Sequence, residues 1–196
     1  MTKYKIIDNL LSDSDFTKLA GSILPIPTGS KVAPISIQSR FGWDYTSSQV
    51  GGDEQDRLKK VTDIEILYPI NNWYMSHMLY YSGYQSQVLQ YFGPLIDKIN
   101  PLALIRVQAN LTVQQEKRGR TLFHIDYMGK TSMTTSIIYM NTTNGPTILE
   151  DGTEIECRAN RLVSYPYETY HAAILCTDQP YRIVINFNYF KEMELP

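Results

Sequence analysis

The 196-residue sequence lacks most of the features that mark specialised classes of protein. It has only two cysteines, Cys157 and Cys176, and their spacing matches neither a zinc ribbon nor a redox CxxC motif. No apolar run approaches the roughly 18 residues of a membrane span, and no basic stripe accompanies the net charge of -2. The sequence therefore predicts two reduced, structural thiols, with neither nucleic acid nor a membrane as partner.

The N-terminal segment, MTKYKIIDNL, also lacks the apolar core and the small-residue cleavage site of a signal peptide. We therefore expect a cytoplasmic protein. Hydrophobic residues make up 43% of the chain and charged residues 19%, which is typical of globular domains rather than of disordered chains or coiled coils. The length fits a single domain over residues 1–196, and nothing in the composition indicates an oligomeric state.

Helices and loops are predicted for the first part of the chain, about residues 1–100. A first helix is expected after Ser12 or Asp13, either of which can cap it. Its apolar side would consist of Phe16, Leu19, Ala20 and Ile23. Residues 28–57 have the composition of a loop, with an aromatic cluster at Phe41, Trp43 and Tyr45.

Two further helices are expected before the texture of the sequence changes. One is predicted from Asn72 to about Tyr81, and the other covers Gln85 to Ile99. Gly93-Pro94 should kink or split the latter helix, because proline removes a backbone donor and clashes with the preceding turn.

Strands dominate the second part of the chain, about residues 101–191. Asn144-Gly145 and Asp151-Gly152 are hairpin-type turn signals between short strands. The pattern predicts a mainly β protein, a β-sandwich or jelly roll with the N-terminal helices packed on it. The segments rich in β-branched and aromatic residues are LIRVQANLTV, RTLFHIDY, SMTTSIIYM, RLVSY, TYHAAILC and YRIVINFNYF.

The last of these strands alternates between two kinds of side chain. One face would carry only apolar residues, namely Ile183, Ile185, Phe187 and Tyr189. The opposite face would carry Arg182, Val184, Asn186 and Asn188. A polar face inside a small barrel indicates a ligand cavity rather than a purely structural core.

Three residues have the chemistry of a metal site. His124 and Asp126 are two apart on a predicted strand, so their side chains should point the same way. His171 follows in or near a later strand. Two histidines and one carboxylate form the facial triad of non-haem Fe(II) oxygenases, which leaves coordination sites open for other ligands. The third histidine, His77, is expected on a surface helix without such a role.

Arg182 adds a second element to this pattern, eleven residues after His171 on the polar face of the last strand. A guanidinium there would bind a carboxylate in a bidentate manner. A buried arginine without an anion is costly, so the position favours a ligand. The alternative is a surface arginine on an edge strand, which the neighbouring asparagines disfavour.

The segments FHIDY, NRLVSY and YRIVINFNYF, together with His171, resemble the 2-oxoglutarate/Fe(II) dioxygenases of the prolyl-4-hydroxylase-like type. The likeness is strongest to the small versions carried by cyanophages and marine bacteria, which would place the protein in a host cytoplasm if it is phage-encoded. It covers about residues 100–190. The preceding part is similar only loosely, in the Trp43-Asp44-Tyr45 loop.

This resemblance implies a double-stranded β-helix fold in which His124, Asp126 and His171 hold the iron. Arg182 would bind the distal carboxylate of 2-oxoglutarate, and Tyr139 would place its hydroxyl against the same carboxylate. It implies an enzyme that couples oxidative decarboxylation of 2-oxoglutarate by O₂ to hydroxylation of a substrate, with ascorbate as a further candidate cofactor. The substrate would be a small molecule or a peptide, with a prolyl residue as the leading candidate.

The alternation of the strands extends this set. Asn110 and Thr112 on the first strand, and Asn186 and Asn188 on the last, should line the cavity. Related prolyl hydroxylases often carry a tyrosine where this chain has Thr112. Either another contact replaces that tyrosine, or the register of the strand differs by a residue or two.

Candidate substrate-binding residues lie outside the barrel strands, where function is usually grafted onto a fold. They are Arg40, Trp43, Asp44, Tyr45 and the loop Gln114–Arg120, which contains Lys117, Arg118 and Arg120. The loop is interpreted either as a solvated, flexible segment or as a lid that the substrate orders. The aromatic cluster is expected to serve packing first and recognition second.

Two other functions are compatible with such a barrel. One is a cupin-like metal enzyme that does not use 2-oxoglutarate, which Arg182 argues against because such an enzyme needs no carboxylate anchor. The other is a non-catalytic jelly roll with a binding or structural role, which the open triad argues against.

Overall fold

Two antiparallel sheets form most of the protein, whose structure is a computed structural model describing residues 3–23, 42–47, 62, 64–65, 73–127 and 132–191. The strands of the main sheet are β1 (Lys5–Ile7), β2 (Asp44–Ser47), β3 (Trp73–Tyr81), β4 (Tyr84–Gln85), β5 (Ala103–Val113), β6 (Met133–Tyr139), β9 (Leu162–Pro166) and β11 (Tyr181–Phe190). They follow the order β1-β9-β6-β11-β5-β3-β2, with β4 paired to β3. The small sheet consists of β7 (Thr147–Leu149), β8 (Glu154–Ile155) and β10 (His171–Ala173), in the order β10-β7-β8.

The first predicted helix is confirmed as α1 (Asp13–Ile23). The Ser12 hydroxyl accepts a hydrogen bond from the backbone amide of Asp15 at 3.2 Å, as an N-cap residue should. Leu19, Ala20 and Ile23 are buried. The helix therefore forms because its first turn is capped and one side packs on the sheet.

The helix predicted over 85–99 is also present, and it is divided at Gly93 as the Gly93-Pro94 pair indicated. A 3-10 helix spans Gln87–Phe92, and α2 continues over Gly93–Ile99. Pro94 lies in the first turn of α2, where its missing N–H costs nothing.

The helix predicted from Asn72 to about Tyr81 is wrong, because Trp73–Tyr81 form strand β3. Its backbone pairs with β5, with Tyr74 opposite Thr112 and Ser76 opposite Asn110. Trp and Tyr favour a pleated surface. The apolar residues of this segment follow no clear period, so pairing with the long strand β5 decides its conformation. His77 therefore lies on a strand of the main sheet and not on a surface helix; its Nε2 lies 2.8 Å from the Ser86 hydroxyl.

The segment RTLFHIDY does not form the continuous strand that was predicted. It makes two isolated bridges with the small sheet, Arg120 to Ile174 and His124 to His171. After His124 the chain leaves that sheet, and the carboxylate of Asp126 is hydrogen-bonded to Asn186 on the main sheet. The other predicted strands are present, and YRIVINFNYF coincides with β11.

The hydrophobic core lies on both sides of the main sheet. Ile183, Ile185, Phe187 and Tyr189 of β11 pack with α1, the 3-10 helix and α2 on one side. A second cluster, which includes Val184, fills part of the space between the two sheets. The alternation predicted for the last strand is therefore confirmed, and its polar face points between the sheets.

Cys157 and Cys176 are buried and are not joined by a disulfide, as expected for structural thiols. No helix in the described ranges is long and apolar enough to cross a membrane.

Candidate active site

A cavity of about 270 Å³ lies between the main sheet and the small sheet. Side chains from β3, β5, β6 and β11 form one wall, and those of β7, β10 and the segment 121–126 form the other. Most of the residues that line it have polar side chains, namely Tyr74, Arg106, Gln108, Asn110, Thr112, Thr121, His124, Asp126, Thr147, His171, Arg182 and Asn186.

His124, Asp126 and His171 converge at one end of this cavity. Their possible ligand atoms all lie within 4.8 Å of one another. The Nε2 atoms of His124 and His171 are each 3.8 Å from Oδ1 of Asp126, which is too far for a hydrogen bond. The backbone bridge between His124 and His171 holds the two imidazoles together, with ring centroids 4.6 Å apart.

Backbone carbonyls fix the orientation of both imidazoles. Nδ1 of His124 lies 2.9 Å from the carbonyl oxygen of Leu122, and Nδ1 of His171 lies 3.3 Å from that of Thr169. Each Nδ1 therefore carries the proton, and the lone pair of each Nε2 faces Asp126. Burial lowers the pKa of His171 to about 4, so this imidazole is neutral at pH 7 and suited to bind a metal.

The carboxylate of Asp126 is held in its ionised form. Burial by itself raises its pKa, but electrostatic interactions with His171, Arg106 and His124, together with the hydrogen bond from Asn186, outweigh burial and lower it. Nδ2 of Asn186 donates to both carboxylate oxygens at 2.9 Å. Two neutral imidazoles and one carboxylate are the donor set that suits a divalent transition metal such as Fe(II).

Arg182 is only 3% exposed and its guanidinium is fixed by two hydrogen bonds. Nε donates to the carbonyl oxygen of Gly145 at 2.8 Å, and Nη2 donates to the Thr147 hydroxyl at 2.9 Å. The Tyr139 ring lies beneath it, 5.5 Å from Cζ to the ring centroid. Within the described residues no carboxylate pairs with this buried cation, so the cavity offers a positive charge to an anionic ligand.

Of the other predicted cavity residues, the structure brings Asn110, Thr112 and Asn186 to the lining. Oγ1 of Thr112 and Oδ1 of Asn186 are buried, and neither has a hydrogen-bond partner among the described residues. Because buried polar atoms are almost always satisfied, these two atoms indicate that a ligand or water belongs in the cavity. Asn186 contacts the triad carboxylate, whereas Thr112 lies opposite Arg182 on the neighbouring strand.

Tyr139 and Asn188 do not line the cavity, contrary to the prediction. The Tyr139 hydroxyl donates at 2.8 Å to the Thr147 hydroxyl, which also accepts from Arg182. Burial raises the pKa of Tyr139 to about 12. Asn188 is fully buried, donating to Thr135 at 3.0 Å and accepting from Arg106. Both residues support the wall from behind.

Several lining residues were not predicted. Arg106 and Gln108 share one face of β5 with Asn110 and Thr112, so the alternation of that strand already contained the signal. Tyr74 was not predicted because its segment was expected to be a helix rather than a strand of the main sheet. Thr147 lies in a three-residue strand whose sequence has no distinctive signal.

The loop Gln114–Arg120 makes ordinary surface contacts. Lys117 pairs with Glu65 at 2.6 Å, and Arg118 pairs with Glu154 at 2.8 Å, with all four side chains at least 40% exposed. Arg120 is buried against Phe123, 4.9 Å from its ring centroid. These contacts favour the solvated-loop interpretation over the lid.

The other substrate candidates lie partly outside the described residues. Trp43 packs against the main core, as expected, and Asp44 is exposed. Arg40 and the side chain of Tyr45 lie outside the described part.

Solved structures similar to this fold include several 2-oxoglutarate-dependent oxygenases. A 2OG-Fe(II) oxygenase family oxidoreductase from Burkholderia pseudomallei matches with a TM-score of 0.60 at 8% identity, over 96% of this chain and 85% of that chain. The non-heme alpha ketoglutarate dependent epimerase SnoN from nogalamycin biosynthesis matches with a TM-score of 0.58 at 12% identity, over 97% and 78%. A prolyl hydroxylase from Trichoplax adhaerens, in complex with a peptide fragment, matches with a TM-score of 0.56 at 14% identity, over 97% and 84%.

These likenesses confirm the predicted jelly-roll fold and show that the protein shares it with 2-oxoglutarate/Fe(II) oxygenases, including a prolyl hydroxylase. No family model matches the sequence, and no curated protein is significantly similar to it.

Proposed function

We propose that this protein is an Fe(II)- and 2-oxoglutarate-dependent oxygenase that hydroxylates its substrate. The observation that carries the proposal is the convergence of His124, Asp126 and His171 in the cavity that also contains the buried cation of Arg182. A triad alone fits many metal enzymes. A triad together with an arginine that lacks an acidic partner fits an enzyme whose cosubstrate carries a distal carboxylate.

His124, Asp126 and His171 are the proposed metal ligands, through Nε2 of each imidazole and the carboxylate. The bound iron would supply the activation of O₂ that no side chain can perform. The protein holds the two imidazoles by backbone carbonyls and the carboxylate by Asn186, so the donor atoms are oriented before a metal arrives. Three protein ligands leave positions open for the cosubstrate and O₂.

The distal carboxylate of 2-oxoglutarate is proposed to bind Arg182, Thr112 and Tyr74. The strand register supports this group, because Thr112 is the partner of Arg182 on β11 and of Tyr74 on β3. The three residues thus form one row across the sheet, and all line the cavity. Tyr74 is a candidate for the tyrosine that related prolyl hydroxylases carry on the first strand; here the phenol comes from the adjacent strand.

Tyr139 is proposed to act through Thr147 and not by touching the cosubstrate. Its hydroxyl donates to the same Thr147 oxygen that accepts from Arg182. This pair of hydrogen bonds and the aromatic ring beneath the guanidinium fix the anchor in one orientation.

A prolyl residue in a peptide is the first substrate class to test, because a prolyl hydroxylase is among the proteins with this fold. The epimerase among them shows that the fold also serves other reactions. The cupin-like alternative is disfavoured by Arg182, because an enzyme of that kind needs no anchor for a cosubstrate carboxylate.

Succinate formation tests the proposal directly. Purified protein should convert 2-oxoglutarate to succinate only when Fe(II) and O₂ are both present, and a substrate should accelerate this turnover. The matched control is Arg118→Gln, which removes a surface arginine outside the cavity. Iron binding without any 2-oxoglutarate turnover or affinity would favour the cupin-like enzyme, and absence of metal binding would favour a non-catalytic module.

A further inference from the structure

A second arginine, Arg106, lines the cavity from β5. It is half-buried, and its guanidinium is held by neutral oxygens. Nη1 donates to Oδ1 of Asn188 at 3.1 Å, and Nη2 donates to Oε1 of Gln108. Gln108 in turn donates to Oδ1 of Asn110 at 2.8 Å. The side chain is therefore oriented by a polar ladder along one face of β5.

Like Arg182, and unlike Arg118 and Arg161, Arg106 has no ion-pair partner among the described residues. Arg118 pairs with Glu154, and Arg161 pairs with Asp8. Its guanidinium has five N–H donors, of which the two hydrogen bonds use two. A partly desolvated cation with free donors is suited to bind an anion.

The strand register places Arg106 on the far side of the triad from Arg182. Along the β5–β11 pair, Thr112 lies opposite Arg182, Gln108 opposite Asn186, and Arg106 opposite Asn188. Asn186 holds the triad carboxylate, so that carboxylate is anchored between the two arginines. Arg106 and Thr112 are six positions apart on β5, which separates their Cα atoms by about 20 Å at the usual rise of a strand. The two guanidinium groups are also held by different partners, Gly145 and Thr147 for Arg182, and Asn188 and Gln108 for Arg106.

The guanidinium of Arg106 lies towards the reacting end of the cavity. Burial raises the pKa of Asp126 and the charge of Arg106 opposes this effect, so Arg106 lies within electrostatic reach of the triad carboxylate. The same end of the cavity has an aromatic edge. Tyr81, the partner of Arg106 on β3, is 44% exposed and lies edge-on to Tyr127, with ring centroids 6.4 Å apart.

We propose that Arg106 binds a carboxylate of the prime substrate and so selects acidic substrates. This inference rests on the proposed function, in which Arg182 already accounts for 2-oxoglutarate. A ligand carboxylate at Arg106 would hold the substrate beside the triad, on the side that the cosubstrate leaves open. The carboxylate can belong to a small acid or to an acidic side chain next to the oxidised residue of a peptide.

Binding of matched carboxylate and carboxamide probes tests the inference. Ligand-observed NMR would use the full chain with Zn(II) in place of Fe(II), which prevents turnover. Saturating 2-oxoglutarate would be present to occupy Arg182. The first pair is N-acetyl-L-proline and N-acetyl-L-prolinamide, for a small acid. The second is acetyl-Pro-Glu-amide and acetyl-Pro-Gln-amide, for an acidic peptide. In each pair only the charge changes.

We expect the carboxylate member of at least one pair to bind about tenfold more tightly, as a charged hydrogen-bonded pair does. Arg106→Gln should abolish this preference, and Arg106→Lys should retain only part of it because the planar fork is lost. Arg118→Gln, which removes the same charge from the surface, should leave the preference intact. The pair that responds identifies the source of the carboxylate.

Equal binding of both members in both pairs would overturn the inference, as would a carboxylate preference that survives Arg106→Gln. If Arg106→Gln does not fold, an undiminished preference in Arg106→Lys would overturn it instead. The Fe(II)–2-oxoglutarate absorption band is recorded on the same wild-type protein. Its absence would contradict the proposed function, whereas a normal band without any carboxylate preference would contradict only the role of Arg106.

Discussion

The side-chain amide of Asn186 donates to both carboxylate oxygens of Asp126 at 2.9 Å. Asn186 belongs to a central strand of the main sheet, whereas Asp126 lies in a segment that makes only isolated bridges. Asn186 on the main sheet thus positions the carboxylate of Asp126, because the segment that contains Asp126 has few backbone contacts of its own. Arg182 lies on the same face of β11, four residues earlier, so one strand positions both the triad and the proposed cosubstrate anchor.

Replacing Asn186 by leucine, which has a similar volume, should weaken metal binding. The carboxylate would lose the donor that orients it, and such supporting contacts typically contribute about 10–100-fold to metal affinity. Competition with a metal-binding dye would measure the effect with Zn(II) or Fe(II). The control is Asn188→Leu, two residues further along the same face and without contact to the triad. Equal metal affinity in Asn186→Leu and wild type would contradict this role.

Replacing Arg182 by alanine should raise the concentration of 2-oxoglutarate required for turnover by about 10–100-fold, the value of a charged hydrogen-bonded contact. Metal affinity should be nearly unchanged, since Arg182 contacts Gly145 and Thr147 and no triad residue. Thr147→Val removes one of these supports and should give a smaller increase. Initial-rate measurements of succinate formation would give the KM for 2-oxoglutarate in Arg182→Ala and in Thr147→Val. An unchanged KM for 2-oxoglutarate in Arg182→Ala would mean that the anchor lies elsewhere.

Adding a methyl group at Gly145 should destabilise the protein and disturb the anchor. A Cβ there would lie 2.5 Å from the carbonyl oxygen of Ile174 and 3.3 Å from Cδ of Arg182. Backbone has to move, so Gly145→Ala should lower the free energy of unfolding by roughly 1–3 kcal/mol. In Gly21→Ala the new methyl meets nothing within 4 Å, and helix α1 should gain about 0.5–1 kcal/mol. Urea denaturation would compare the two, and a neutral Gly145→Ala would refute the predicted clash.

The ion pair of Asp8 and Arg161 should make stability depend on pH. Arg161 donates to both oxygens of Asp8, at 2.5 and 2.9 Å, and this hydrogen bonding lowers the pKa of Asp8 in the folded protein. Because the folded pKa lies below the ordinary value of about 3.9, the ion pair stabilises the protein at pH values above about 3.9. This contribution is lost as the pH falls through the folded pKa. Asp8→Asn should therefore cost at most about 1 kcal/mol at neutral pH, because Asp8 is half exposed.

The same substitution should cost less stability at about pH 2.5 than at neutral pH, because the contribution of the Asp8 charge is lost as the pH falls through its lowered folded pKa. Denaturation curves of wild type and Asp8→Asn at the two pH values would give the difference. A loss of stability that is equal at both would show that the charge of Asp8 is not its source.

The sequence was most informative where a single pattern was long and regular. The alternation of YRIVINFNYF predicted β11 and the side on which Arg182 and Asn186 lie, because every second residue of a strand faces the same way. The segment Trp73–Tyr81 has no such regularity, and its conformation depends on pairing with β5, more than twenty residues later in the chain. Local propensity cannot contain that information.

The candidate site, like the fold, was predictable only where the sequence pattern was distinctive. Two of the chain's three histidines, together with Asp126, fall at informative spacings, and the structure brings these three residues together. Arg106 could have been found by applying the alternation of β5 towards its N-terminal half. Tyr139 was expected at the cavity surface, but its depth depends on Thr147 and Arg182, residues brought to it by the fold. Contacts between distant segments of this kind are not visible in a sequence.

Anaerobic titration of the Fe(II)-loaded protein with 2-oxoglutarate tests the central claim most directly. Bidentate binding of the keto acid to iron gives a weak visible metal-to-ligand charge-transfer band. We predict that this band appears in the wild type and is absent in Asp126→Ala, while Arg182→Ala shows it only at higher 2-oxoglutarate concentrations. If iron binds and no band appears at any concentration, the protein does not use 2-oxoglutarate, and the assignment of Arg182 as a cosubstrate anchor is contradicted.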